Sequence, residues 1–180
     1  MLASIIVQRM GAKRRRAGGL TGWIGLADDF SMPSFDVTGS IAPAATKTPL
    51  IITASATLRT RLCHVRAGTT GAPTSDASVQ AYLRASTAAG TSTAVTPRPK
   101  NGISVAGSTA GSNCSVEPTY TAGQPLLEMV FNPRNLAQWA AYNPDSELVC
   151  VSASANGIGF QIQAPGGALT TVECDVDLIE

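Results

Sequence analysis

From about residue 48 onward, apolar and polar positions alternate in short runs. Only "NPRNLAQWAAYNPDSELVCV", cut by Pro133 and Pro144, reads as helical or irregular. Residues 49–55 and 58–66 read as extended. In the second run Leu58, Thr60, Leu62, His64 and Arg66 alternate with Arg59, Arg61, Cys63 and Val65. "TSTAVTPRPKNG" is an extended, proline-punctuated connection, and "CSVEPTYTAG" and "PLLEMVFN" read as two strands around a turn at Gly123. The alternation is clearest near the end. Ile158, Phe160 and Ile162 share one face, as do Val172, Cys174, Val176 and Leu178, with Asp175 and Asp177 turned to water. "APGG" between these runs predicts that they form a hairpin. Asn101-Gly102 and Asn156-Gly157 are tight-turn signals, because both residue types tolerate positive φ. About seven or eight short strands separated by such signals predict an all-β fold, an antiparallel β-sandwich or jelly roll, over residues 48–180. No crossover helices alternate with the strands, which argues against a parallel α/β sheet.

The first 47 residues differ in texture. Residues 1–20 read as a basic amino-terminal arm. Leu2, Ile5, Ile6 and Arg9 would share one face of a one- or two-turn helix, too short to be stable alone, and Gly18, Gly19 and Gly22 end it. Residues 21–47 read as an extended linker or docking segment. It carries scattered anchors without period: Trp23, Ile24, Leu26, Phe30 and Phe35.

Composition sharpens this division. Hydrophobic residues make up 44% of the 180, but aromatics only 5% and charged residues 14%, and small β-compatible residues fill the gap. The net charge of +1 conceals an asymmetry. Arg9, Lys13, Arg14, Arg15 and Arg16 give residues 1–20 a charge of +5 with no acid, leaving 8 cations and 12 anions, or −4, for the rest. Cys63, Cys114, Cys150 and Cys174 are widely spaced, with no C-x-x-C, so a zinc cluster is not expected. The thiols read as reduced, small, buried hydrophobes. The opening "MLASIIVQRMGAKRRR" places apolar residues before the charges, the reverse of a secretory signal, and no run reaches membrane-spanning length.

Catalytic signatures are missing. The single histidine, His64, adjoins Cys63 in a strand, where neighbours point to opposite faces, so a Cys–His nucleophile pair is not expected. There is no G-x-S-x-G elbow, phosphate-binding loop or dinucleotide fingerprint. Asp28-Asp29 and Asp175/Asp177 read as solvated acids. The expectation is a protein that is not an enzyme and needs no cofactor or metal.

The arm then carries the functional reading. As a DNA contact, its five cations would give a log–log salt slope of about −4.5, an affinity loss of about 500-fold between 50 and 200 mM salt. Trp23, Trp139, Tyr82, Tyr120 and Tyr142 do not interleave with basic residues as a base-stacking platform would, so nucleic acid is possible but not favoured. "LASIIV" has too small an apolar moment for a membrane surface. Docking on an acidic partner, with Leu2, Ile5, Ile6 and Trp23 as apolar anchors beside Arg9, Lys13, Arg14, Arg15 and Arg16, uses every feature together.

Three stretches carry a resemblance. "LRTRLCHVRAG" holds an R-x-R-L strand. "YLRASTAAGTSTAVTPRPKNG" holds an Arg, then Thr-x-x-Gly-x-Thr and a Pro-x-Pro connection. The closing "NPDSELVCVSASANGIGFQIQAPGGALTTVECDVDLIE" ends in an acid. In this order they resemble the small β-sandwich virion proteins encoded among the head and tail genes of tailed bacteriophages, over roughly residues 48–180. The resemblance implies a structural virion protein, a capsid decoration or cement protein that binds the major capsid protein and bridges capsomers. It also implies a homo-oligomer, often a trimer, made in the host cytoplasm and located on the capsid surface. Alternatives are a head–tail or tail-surface protein, or a carbohydrate- or host-binding module, for which Trp139 and Tyr142 near Asn143 and Asp145 are the candidate residues.

Overall fold

Alternation with one apolar face per strand needs a second layer to cover that face, and the computed structural model supplies it. It describes residues 33–41, 46–73, 76–150, 156–163 and 171–180. The strands among them form two antiparallel sheets packed face to face, a β-sandwich. Thirteen strands are present among the described residues: β1 (Ser34–Ile41), β2 (Thr46–Thr53), β3 (Thr60–Thr69), β4 (Val79–Ala88), β5 (Thr91–Val95), β6 (Arg98–Pro99), β7 (Thr109–Val116), β8 (Thr119–Tyr120), β9 (Leu127–Phe131), β10 (Ala137–Ala140), β11 (Leu148–Cys150), β12 (Gly157–Gln163) and β13 (Val172–Ile179). The first sheet runs β10-β3-β13-β1-β6, with β11 also on β3. The second runs β5-β7-β2-β12-β4-β8, with β9 also on β4. These strands belong to one compact unit, Ser34–Glu180.

The core is built from the inward faces. Phe35 and Val37, Leu50 and Ile52, Val79, Ala81 and Leu83 fill it together with Ile158, Phe160, Ile162, Val172, Cys174, Val176 and Leu178, all almost inaccessible. The alternation read over 158–178 therefore points inward as expected, but the two runs do not form a hairpin. β12 lies between β2 and β4, whereas β13 lies between β1 and β3 in the other sheet. Period-two patterning reports which face of a strand is buried. In a sandwich both sheets bury their faces in the same core, so the pattern is silent on which sheet a strand joins.

Among the described residues the sandwich begins at Ser34. Within the stretch read as linker, β1 pairs over its full length with β13, Ser34 opposite Ile179 through Ile41 opposite Val172, and Phe35 lies in the core rather than on a docking surface. The stretch read as helical or irregular forms β10 and β11, both on β3, joined through a 3₁₀ turn at Pro144–Ser146 capped by Asn143. Ala, Leu and Gln there favour a helix intrinsically. Two prolines leave too short a window for one, and the free edge of β3 offers hydrogen bonds instead. β8 and β9 flank the turn at Gly123 (φ 118°) but each pairs with β4. Asn101-Gly102 does turn, with Gly102 at φ 77°, while Gly157 is an ordinary strand residue opposite Thr53.

Bulges in β2 and β3 break the simple pattern. In β3, His64 is opposite Asp177 and Leu62 is opposite Leu178, so Cys63 is the extra residue. Inward positions therefore run Thr60 and Leu62, then Val65 and Ala67, a phase change that plain alternation misses. In β2, Leu50 pairs with Phe160 but Lys47 with Ile162, leaving an extra residue at Thr48–Pro49. A proline in a central strand is tolerated there because a bulge has no ladder bond for it to break.

Candidate functional site

The residues assigned to partner binding from sequence, Leu2, Ile5, Ile6, Arg9, Lys13, Arg14, Arg15, Arg16 and Trp23, lie outside the described residues. So do Asp28 and Asp29. The described body pairs most of its own cations.

Of its eight Lys and Arg side chains, six are in ion pairs with its own carboxylates: Lys47–Glu117, Arg61–Glu147, Arg66–Asp175, Arg98–Asp36, Lys100–Asp177 and Arg134–Asp76. Arg84 lies over the Tyr120 ring, 5.1 Å from its centre, and donates to Gln161. Among the described residues, Glu128, Asp145 and Glu173 are exposed acids outside any ion pair.

Most of this pairing lies on the outer face of the first sheet, where β6, β1, β13 and β3 run side by side. Asp177 Oδ1 forms an ion pair with Lys100 Nζ at 2.6 Å, and Asp177 Oδ2 lies 3.5 Å from His64 Nδ1. Asp36 meets Arg98, Asp175 meets Arg66, and Thr38 donates to Asp175. Asp175 and Asp177 therefore do not simply face water; their side chains are only 19% and 15% exposed. Asp36 and Asp175 also face each other diagonally across β1 and β13. The hydrogen bond from the Asp175 carboxyl, then the Arg98 and Lys100 charges, hold Asp36 below the usual carboxylate range. Burial, and then Asp36 itself, push Asp175 above it. A shifted carboxyl marks a functional site only when a substrate group has reason to meet it. Here neighbouring strands account for the proton.

On the second sheet, the β2 bulge aims the fully buried Thr48 hydroxyl at Glu117 Oε2 and Tyr120 Oη, both at 2.6 Å. Burial drives the Tyr120 phenol well above its ordinary pKa. The Tyr120 ring rests on Gly159, where a side chain would overlap it. At the end of β13, Glu180 accepts the backbone N–H groups of Gly107 and Ser108, each at 2.6 Å, and anchors the loop before β7.

All four cysteines carry free thiols, three of them buried, and burial raises the pKa of each, that of Cys114 to about 11. A thiol held protonated is a poor nucleophile. The β3 bulge leaves both Cys63 and His64 half-buried, but Cys63 Sγ donates to the Asp177 carbonyl while His64 meets the Asp177 carboxylate. Among the described residues no three His, Cys, Asp or Glu side chains converge as metal ligands would, and no helix is long and apolar enough to cross a membrane. Trp139 is partly buried against the core while Tyr142 is 88% exposed, and Asn143 uses its side chain to cap the 3₁₀ turn. The two rings thus differ in burial.

Sequence reasoning missed an apolar surface on the loop between β6 and β7. Asn101 Oδ1 accepts the N–H groups of Ile103 and Ser104, and this loop holds Ile103 and Val105 out at 86% and 90% exposure. Beside it lies a groove of about 410 Å³ lined by Val95, Pro97, Pro99, Val105 and Ala106. The flagged Asn101-Gly102 turn followed by two spaced apolar residues was the available signal.

No protein-family model matches the chain, and no curated protein matches it either.

Proposed function

We propose that this chain is a structural virion protein of the capsid decoration or cement type. Its β-sandwich sits on the outer shell and its basic amino-terminal arm docks on acidic surface of the major capsid protein. The observation that carries the reading is the charge distribution. The sandwich matches six of its eight described cations with its own acids, whereas residues 1–20 hold five cations and no acid. Most of the described acids are already engaged within the body, which supports a counterpart for the arm on another molecule. Many copies on a lattice make weak arms effective, because each further contact forms at high local concentration. The resemblance to phage virion β-sandwiches selects a capsid among acidic partners.

The test is co-sedimentation of the purified chain with phage heads stripped of it, at low and moderate salt, with duplex DNA as competitor. Saturable binding at a fixed ratio to the major capsid protein, unaffected by DNA, is expected. Capture by DNA with loss of head binding would overturn it and make the arm a nucleic-acid contact.

A further inference from the structure

Strand β5 pairs with β7 on one side, and no described strand lies on its other side. Thr91, Thr93 and Ala94 on it are exposed. Natural edge strands are usually guarded by a charge, a proline or a bulge turned outward, because a row of unpaired N–H and C=O groups invites another strand. β5 carries no charge, and none follows until Arg98, which Asp36 neutralises. Its bulge, between Thr91 and Thr93, is on the β7 side of the pairing. The edge leads into the apolar groove of Val95, Pro97 and Val105, with exposed Ile103 beside it.

We infer that the open edge of β5, with the Ile103/Val105 loop, is an interface for a second copy of this chain, joined antiparallel about a two-fold axis. The absence of charge points to this occupant. In a two-fold contact each residue near the axis meets its own counterpart, so any charge there would face its like. Uncharged Thr91, Thr93 and Val95 instead give β-branched pairs across the axis, which favour strand pairing. The two sheets become one continuous sheet, and the exposed Ile103 and Val105 of each copy are covered. Five residues span only about 17 Å, so the contact falls below the area of a standard stable interface and is concentration-dependent. A two-fold contact links chains in pairs and is separate from any threefold association. It stands whether or not the arm binds a capsid.

Sedimentation equilibrium of the full chain over a range of concentrations tests it. The wild-type chain is expected to show a monomer–dimer equilibrium. Thr93→Lys and Thr93→Glu should each weaken it by more than about tenfold through like charges at the axis. Mixing the two variants should restore it. Thr93 is exposed on an edge, so thermal unfolding of both variants should match wild type, and Ile103→Ser/Val105→Ser should weaken association independently. A chain that stays monomeric at its highest soluble concentration overturns the inference, as do single-charge variants that associate like wild type or mixtures that show no rescue. Association lost on removing residues 1–20 but not with Thr93→Lys also overturns it, and makes the arm the occupant instead.

Discussion

Thr48 shows how one residue can hold two distant parts of the second sheet together. Its hydroxyl is buried between Glu117 and Tyr120, and its own N–H reaches Glu117 Oε1 at 3.3 Å. Thr48→Val keeps the shape but leaves a carboxylate and a phenol short of a partner, which should cost about 1–3 kcal/mol. The shift in urea midpoint at unchanged m-value measures it. The Asp36/Asp175 pair makes a second prediction, with opposite signs for its two members. Asp36 titrates lower folded than unfolded, so its contribution is present above the unfolded value near pH 4 and is lost as pH falls through its lowered one. Asp175 titrates higher folded than unfolded, so its contribution is present below the unfolded value and is lost as pH rises through its raised one. Asp36→Asn should therefore remove part of the acid-side loss of stability, and Asp175→Asn the loss just above the ordinary carboxylate range. Urea midpoints measured from about pH 3 to 7 test both. Neither pairing was legible in the sequence. Asp36 and Asp175 are 139 positions apart, and their meeting depends on the register of β1 against β13.

Among elements, β3 is the clearest case of a pattern that is right in kind and wrong in phase. A strand over 58–66 was legible from its β-compatible residues, yet strict alternation cannot bury both Leu62 and Val65. The bulge at Cys63 resolves the conflict by spending one residue outside the ladder. Deleting Cys63 removes the extra residue and leaves Thr60, Leu62, Val65 and Ala67 all inward in plain alternation, so the thermal midpoint should fall only modestly. Deleting Arg66 instead puts Val65 and Ala67 on opposite faces, and a loss of about 3–5 kcal/mol is expected, read as a large fall in thermal midpoint. Strand β1 was missed for a related reason. "SFDVTGSI" has only Phe35 and Val37 as strong inward signals, and Gly39 further weakens it as a strand. That glycine is required by packing, since a Cβ there would lie 2.5 Å from the Pro49 carbonyl oxygen of the opposite sheet.

For the whole molecule, the division into a basic arm and a body that pairs most of its own cations predicts that the two are separable. Removing residues 1–20 should leave the circular dichroism spectrum and thermal unfolding of the sandwich unchanged, because its described core is drawn from Phe35 onward. Binding to stripped heads should fall and lose its salt dependence. Unfolding of the truncated chain would show that the arm belongs to the fold. The composition and the alternation of small apolar runs determined that this chain is an antiparallel β-protein with a common core, because burial of one strand face is a local, period-two property. The excess of cations at residues 9–16 is equally local. Only the tertiary structure decided which sheet each strand joins, where bulges shift the phase, and which acid meets which base. It also decided that β5 has no described strand on its outer side and that Ile103 and Val105 are exposed. These depend on contacts between residues far apart in the chain, and no local pattern carries the register that brings them together.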